Sequence, residues 1–397
     1  MALRGRGRSV WLVALVGACW LGPPVAPPTP LTVLPFDPYG GAIYVPSVIN
    51  GDSAWLMFDT GLPHTGLDGE WARAIGAVPA PGSAARAAPP PVTTVLDTLR
   101  LGDIALHAYP VALYPLRFVS EASGRLQRGL VGDDVLQRFT VEIDYQQRQV
   151  RLYDPERYHY AGPGTVVPFT PDADLPLLSG SVKIRGQRAI PARLLLDTGA
   201  SGLCLILTTP FVAQHGLSKV SPAIEAPIGT GLAGELHGLI ARLQELRVGG
   251  LRVQFPTTGL GGEHKGFLGR TDIDGVIANA VFEGSRVIVD YARRRVIVES
   301  HSGAGTPCDY DMSGLRLAAR GPRLRQVFVD YVVPHSPGAD AGIAVGDELL
   351  RIDGRPLADA VLNDVREELR IAGAVRRLLL RRDADTIAVA VRLRRLL

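Results

Sequence analysis

The chain has 397 residues, 42 basic against 39 acidic side chains and a net charge of +3, with 45 Gly, 31 Pro and three Cys. That length accommodates about three domains, the small net charge gives no basis for a nucleic-acid partner, and three cysteines imply no disulfide framework. The richness in Gly and Pro predicts many turns.

Arg4, Arg6 and Arg8 precede an apolar run over residues 10–21, too short for an ordinary spanning helix but suited to a secretory signal. Val16-Gly17-Ala18-Cys19 resembles a bacterial lipoprotein box, which makes Cys19 a lipidation candidate; an uncleaved signal anchor is the alternative. Both readings predict an exported protein of a bacterial-type periplasm or cell envelope, with a lipid or signal anchor as membrane tether. Residues 22–30 read as a proline-rich spacer.

Asp-Thr-Gly then occurs twice, at Asp59-Thr60-Gly61 and Asp197-Thr198-Gly199, each after an apolar, strand-like run. A duplicated frame surrounds them: residues 96–102 match 243–249 at an offset of 147, and Ile143-Asp144-Tyr145 matches Val289-Asp290-Tyr291 at 146, whereas the aspartates are offset by 138. The mismatch falls between each Asp-Thr-Gly and the next strand, so the second copy carries a longer insertion there, where a surface loop tolerates it. Each copy reads as an all-β lobe, with Asn50-Gly51, Arg185-Gly186 and Gly249-Gly250 as turns and closing hairpins over 141–152 and 287–298. Helix is expected only in short stretches after Val131 and Ile277. Asp144 and Asp290 are expected to cap the hairpin turns. Cys204, in an apolar run, reads as a small core residue.

The two lobes resemble the retropepsin-like aspartic proteases, here fused in one chain over about residues 36–300. In that family each lobe supplies one Asp-Thr-Gly, beside which an apolar-apolar-Gly segment packs. Leu130-Val131-Gly132 fits that segment, while Val276-Ile277-Ala278 places Ala278 where Gly is usual. The resemblance implies Asp59 and Asp197 as the catalytic pair, with Thr60, Gly61, Thr198, Gly199 and Ala200 supporting their loops. Leu62 departs from the family, which usually has Ser, Thr or Ala after the glycine; it offers a catalytic oxygen only its backbone N–H. Two carboxyls about 3 Å apart share one proton, so the ionised member activates a water while the protonated one polarises the scissile carbonyl. No cofactor and no metal are implied. The insertion contains Gly229-Thr230-Gly231-Leu232, a candidate flap over the cleft, with residues 77–91 as its lobe-one counterpart.

After a turn-rich linker at 301–307, the segments Ser336-Pro337-Gly338-Ala339-Asp340-Ala341-Gly342-Ile343 and Gly346-Asp347-Glu348-Leu349 resemble a PDZ domain. The resemblance implies a peptide groove lined near Leu315, Arg316 and Leu317, a groove helix over 363–373 and a last strand over 386–393. PDZ grooves bind peptides by strand addition, with loop N–H groups receiving a terminal carboxylate. The expected layout is thus signal or anchor plus spacer over 1–30, protease lobes over 31–160 and 161–300, and a PDZ domain over 308–397, in a mostly β fold.

Other chemistry fails on spacing: His64, His215, His237 and His264 lack the pairing of a zinc site, and no Gly-x-Ser-x-Gly elbow is present. Arginine pairs such as Arg376-Arg377 and Arg381-Arg382 read as solvated strand faces. The expected function is an exported aspartic endopeptidase acting on peptide or protein, with a PDZ domain that binds peptide or regulates access. The alternative is a catalytically silent peptide-binding scaffold built on the same lobes.

Overall fold

The computed structural model describes residues 28–78, 92–172, 175–264, 266–300 and 308–397. Cys19 and the apolar run before it, most of the lobe-one segment 77–91 and the linker 301–307 lie outside them.

Strands Tyr44–Ile49 and Asp52–Phe58 form a hairpin through Asn50 and Gly51, both at positive φ, which is what a two-residue turn needs to follow strand twist. Together with Gly66–Asp68, Thr93–Leu101, Ile104–Tyr114 and Gly129–Val131 they close a barrel. The second half repeats this plan: Ile190–Asp197 lies parallel to Gly275–Ala278, as Asp52–Phe58 lies parallel to Gly129–Val131. Ala223–Gly231 and Gly234–Arg242 form a long hairpin, and Gly249-Gly250, both at positive φ, turns Glu245–Val248 into Leu251–Gln254. Helices are short. Besides Asp133–Leu136 and the 3-10 turn Asn279–Phe282, they include Gly69–Ala74, Arg117–Ser123 and Thr209–Gln214, which the sequence reading did not foresee.

The lobes are joined by a sheet running Thr32–Pro35, Gln149–Tyr153, Thr140–Asp144, Ser285–Asp290, Arg295–Ser300, Thr165–Asp172. Its middle pairing, Ile143 opposite Val287 and Val141 opposite Val289, belongs half to each lobe, and all four side chains are buried. Asp144 and Asp290 accept the Gln147 and Arg293 N–H groups at 2.9 and 3.2 Å, closing the hairpins. Their burial is offset by Arg286, at 3.3 Å from Asp144 across the lobe boundary, and by Arg295, at 2.9 Å from Asp290. One apolar core runs through both lobes.

The C-terminal domain has its own core, including Leu315, Leu317, Val327, Val329, Leu362, Val365 and Leu380. Its sheet runs Leu315–Arg320, Gln326–Val332, Glu348–Ile352, Val375–Arg382, Asp385–Arg392. Ser336 caps the helix Pro337–Asp340 by accepting the Ala339 N–H, with Pro at the first helical position. The groove helix is Leu362–Glu368, shorter than expected; it ends in a turn at Leu369, and beyond it Gly373, at φ +77, gives its N–H to the Leu393 carbonyl.

The absence of disulfides expected from composition is corrected: Cys204 is bonded to Cys308, with Cα atoms 5.6 Å apart. Cys204 is fully buried in the lobe core. Its partner lies 104 residues on, past a linker, a spacing that carries no local signal.

Candidate active site

Both Asp-Thr-Gly turns sit at the ends of strands, Asp52–Phe58 and Ile190–Asp197, face to face across the lobe boundary. Thr60 Oγ1 donates to the Leu196 carbonyl at 2.9 Å and accepts the Thr198 N–H at 3.1 Å. Thr198 reciprocates, donating to the Phe58 carbonyl at 2.7 Å and accepting the Thr60 N–H at 3.1 Å. Both threonines are buried, so these four bonds are shielded from water and lock the two turns in register.

The glycines let the carboxyls meet. A Cβ on Gly61 would lie 2.4 Å from Asp197 Cγ, and one on Gly199 would lie 2.5 Å from Asp59 Cγ. Each carboxyl thus occupies the space that a side chain on the other lobe's glycine would fill. The two carboxyls therefore face one another closely enough that the charge of one is felt by the other. Both aspartates retain partial solvent exposure at this point, yet protein surrounds the carboxyls on most sides. Burial raises both above the usual carboxylate range, and the Asp197 charge raises Asp59 further.

The pair is not symmetric. Asp197 Oδ1 accepts two main-chain N–H groups, from Gly199 at 2.8 Å and Ala200 at 2.9 Å, whereas Asp59 Oδ1 accepts one, from Gly61 at 2.9 Å. The N–H of Leu62 turns instead to the Asp59 carbonyl at 3.5 Å. With fewer donors stabilising its anion, the Asp59 carboxyl is raised further than that of Asp197.

Ala278 and Gly132 hold equivalent places under different constraints. A Cβ on Gly132 would strike the backbone of residues 62–65 at 2.8 Å. In lobe two Ala278 packs with its own N–H on the Cys204 carbonyl and has room for a methyl.

Tyr145 Oη donates to Asn279 Oδ1 at 2.5 Å, and Asn279 Nδ2 donates to the Gly41 carbonyl at 2.8 Å, so a lobe-two side chain is held by lobe one. The mirrored Tyr291 is buried against Asp133 of lobe one. These supports were not picked out from the sequence, although the repeated Asp-Tyr at 144–145 and 290–291 was the signal that could have found them.

The long hairpin of lobe two reaches across the cleft. Gly229, Thr230 and Gly231 lie on its first strand and Leu232 at its tip. Leu232 packs on a lobe-one cluster of Ala42, Tyr44, Met57, Leu62, Leu116 and Leu130. Leu62, where the resembled family usually has Ser, Thr or Ala, thus belongs to the apolar seat under the hairpin tip. In the C-terminal domain Leu315 and Leu317 point into the core, while Arg316 points outward.

Residues 45–135 and 180–271 match the family described as aspartyl protease, and residues 328–382 match the PDZ domain. The two lobes belong to the aspartyl protease family. Among solved structures, the aspartic proteinase from Irpex lacteus is similar at 11% identity over 70% of this chain and 99% of that one, with a TM-score of 0.43. A photosystem II D1 C-terminal processing protease is similar at 23% identity over 21% of this chain and 22% of that one, with a TM-score of 0.20. At those scores neither likeness carries weight, and the assignment of the aspartyl protease lobes rests on the family match and their own geometry. No curated protein matches the chain.

Proposed function

We propose that the protein is an aspartic endopeptidase that cleaves extended peptide between the lobe-two hairpin and the paired aspartates. The observation that carries this reading is the mutual intrusion of each carboxyl into the space beside the opposite glycine. In the reaction Asp197, stabilised as an anion by two N–H groups, takes a proton from a water as its oxygen attacks the scissile carbonyl carbon. Asp59 gives its proton to the carbonyl oxygen. The tetrahedral diol then collapses as Asp197 passes its proton to the amide nitrogen, Asp59 takes back the proton of a diol hydroxyl and the C–N bond breaks, with no covalent adduct and the dyad's single proton restored on Asp59.

An exported location accords with the Cys204–Cys308 bond, since disulfides persist in oxidising compartments. Cys19 or the apolar run 10–21 would supply the tether.

Asp197→Asn tests the catalytic reading. Hydrolysis of an unfolded protein substrate at acid pH should fall by about 10³-fold or more, and a variant as active as the wild type would remove Asp197 from the chemistry.

A further inference from the structure

The PDZ domain sits on both lobes. Its edge strand Leu315–Arg320 pairs on one side with Gln326–Val332, and the groove helix Leu362–Glu368 packs beside it. Strand addition places an incoming peptide along such an edge. Here the lobe-one helix Arg117–Ser123 packs against that strand. Arg117 Nη2 donates to the Gly321 carbonyl at 3.0 Å. From the groove helix, Arg366 Nη2 donates to Ala122 of lobe one and to Leu317 of the edge strand, both at 2.6 Å. Gly124, at the end of the lobe-one helix, abuts Leu362 so closely that a Cβ would lie 2.5 Å from it.

The head of the groove is filled as well. The N–H groups of Ser313, Gly314 and Leu315 point at Asp311 Oδ1 at 2.9, 2.6 and 3.2 Å, and the Ser313 hydroxyl donates to it at 2.7 Å. A peptide's terminal carboxylate would need those same donors.

The outward face of the edge strand grips the hairpin over the cleft. Arg316 lies 2.7 Å from Glu235 and donates to Thr230 Oγ1 at 2.9 Å. Tyr331 Oη donates to the Glu225 carbonyl at 3.2 Å, and Val333 is buried among Ala226, Ile228 and Ile240.

We propose that the PDZ domain is a clasp acting in cis: its groove takes the chain's own helix 117–123 as ligand, and Arg316 and Tyr331 pin the hairpin 223–242 across the cleft. Asp311 takes the place of a ligand's carboxylate. The role of the hairpin as a cover for substrate rests on the proteolytic reading, but the clasp itself does not.

The experiment uses the full chain carrying Asp197→Asn, which removes self-cleavage, and compares it with added Arg316→Met or Arg366→Met by amide hydrogen exchange. Arg316→Met should speed exchange of amides in 223–242 by about tenfold or more, and Arg366→Met should do so in 117–124 and 315–320. Exchange unchanged by both overturns the clasp. A measurement needing no clasp variant is titration with a fluorescent decapeptide that ends in an apolar residue with a free carboxylate. The Asp197→Asn chain should show no saturable polarisation change up to about 100 μM that depends on the free carboxylate: saturable binding that an excess of the same peptide with an amidated C-terminus fails to displace also overturns the proposal, whereas binding displaced by the amidated peptide belongs to the cleft. If Asp197→Asn leaves cleavage intact, only the proteolytic reading falls.

Discussion

Thr198 donates its hydroxyl to the Phe58 carbonyl at 2.7 Å and receives the Thr60 N–H at 3.1 Å, so one side chain serves both ends of the opposite turn. Thr198→Val keeps the shape and removes both bonds, leaving a buried carbonyl and a buried N–H without partners. The expected cost is about 2–4 kcal/mol, read as a lower melting temperature, with a larger fall in kcat than in KM because the aspartates lose register. Thr198→Ser should recover most of both.

The dyad itself predicts a pH signature. By the proposed mechanism, activity needs the singly protonated pair. It is lost at low pH when the second carboxyl protonates, and at high pH when the shared proton leaves. Because burial raises both carboxyls, the alkaline limb of the rate profile should lie above the ordinary aspartate range. An acid whose folded pKa is raised contributes stability below its unfolded pKa and loses it as pH rises through the folded value. Asp59→Asn should therefore raise the melting temperature relative to wild type at pH 7 and much less at pH 4. An equal difference at both values would contradict the raised pair.

Asp311 makes a second, separable contribution. Burial pushes its carboxyl up to about 6, although the Ser313 hydroxyl and the N–H groups of Ser313, Gly314 and Leu315 favour the anion. By the same sign its stabilisation is present below about pH 4 and lost as pH passes about 6, a swing of about 3 kcal/mol at most. Asp311→Asn keeps an acceptor oxygen for the loop and removes the titration. Chemical denaturation between pH 4 and 7 should give a flatter stability profile than wild type.

Closing a loop of 104 residues, the Cys204–Cys308 bond should contribute about 2–5 kcal/mol. Cys308→Ser, or reduction of the wild type, should lower the melting temperature and speed hydrogen exchange around Asp309 and Arg242, which are paired at 2.9 Å beside the bond. Unchanged melting under reductant would mean that the bond adds nothing.

What the sequence displayed was whatever a short stretch of chain must do for itself. Asn50-Gly51 and Gly249-Gly250 show as turns because positive φ favours those residues, and the two Asp-Thr-Gly segments show as a pair because duplication carried their neighbours along. The Cys204–Cys308 bond was hidden because its partners lie 104 residues apart in sequence and are brought together only by the tertiary fold. The helix Arg117–Ser123 carries no side-chain cap and little apolar periodicity, so nothing in it announced a helix, still less its seat beside the edge strand of another domain. Leu62 looked like damage to a motif when read alone, and acquires a reason only beside Leu232, 170 residues away.

The shared sheet that pairs Thr140–Asp144 with Ser285–Asp290 has a kinetic corollary. Two separate half-enzymes would come apart on dilution and lose their site with the second power of concentration. Here the halves meet within one covalent chain, at an effective concentration set by the connecting strands. Specific activity should therefore be the same at nanomolar and at micromolar enzyme, a property suited to a molecule working singly.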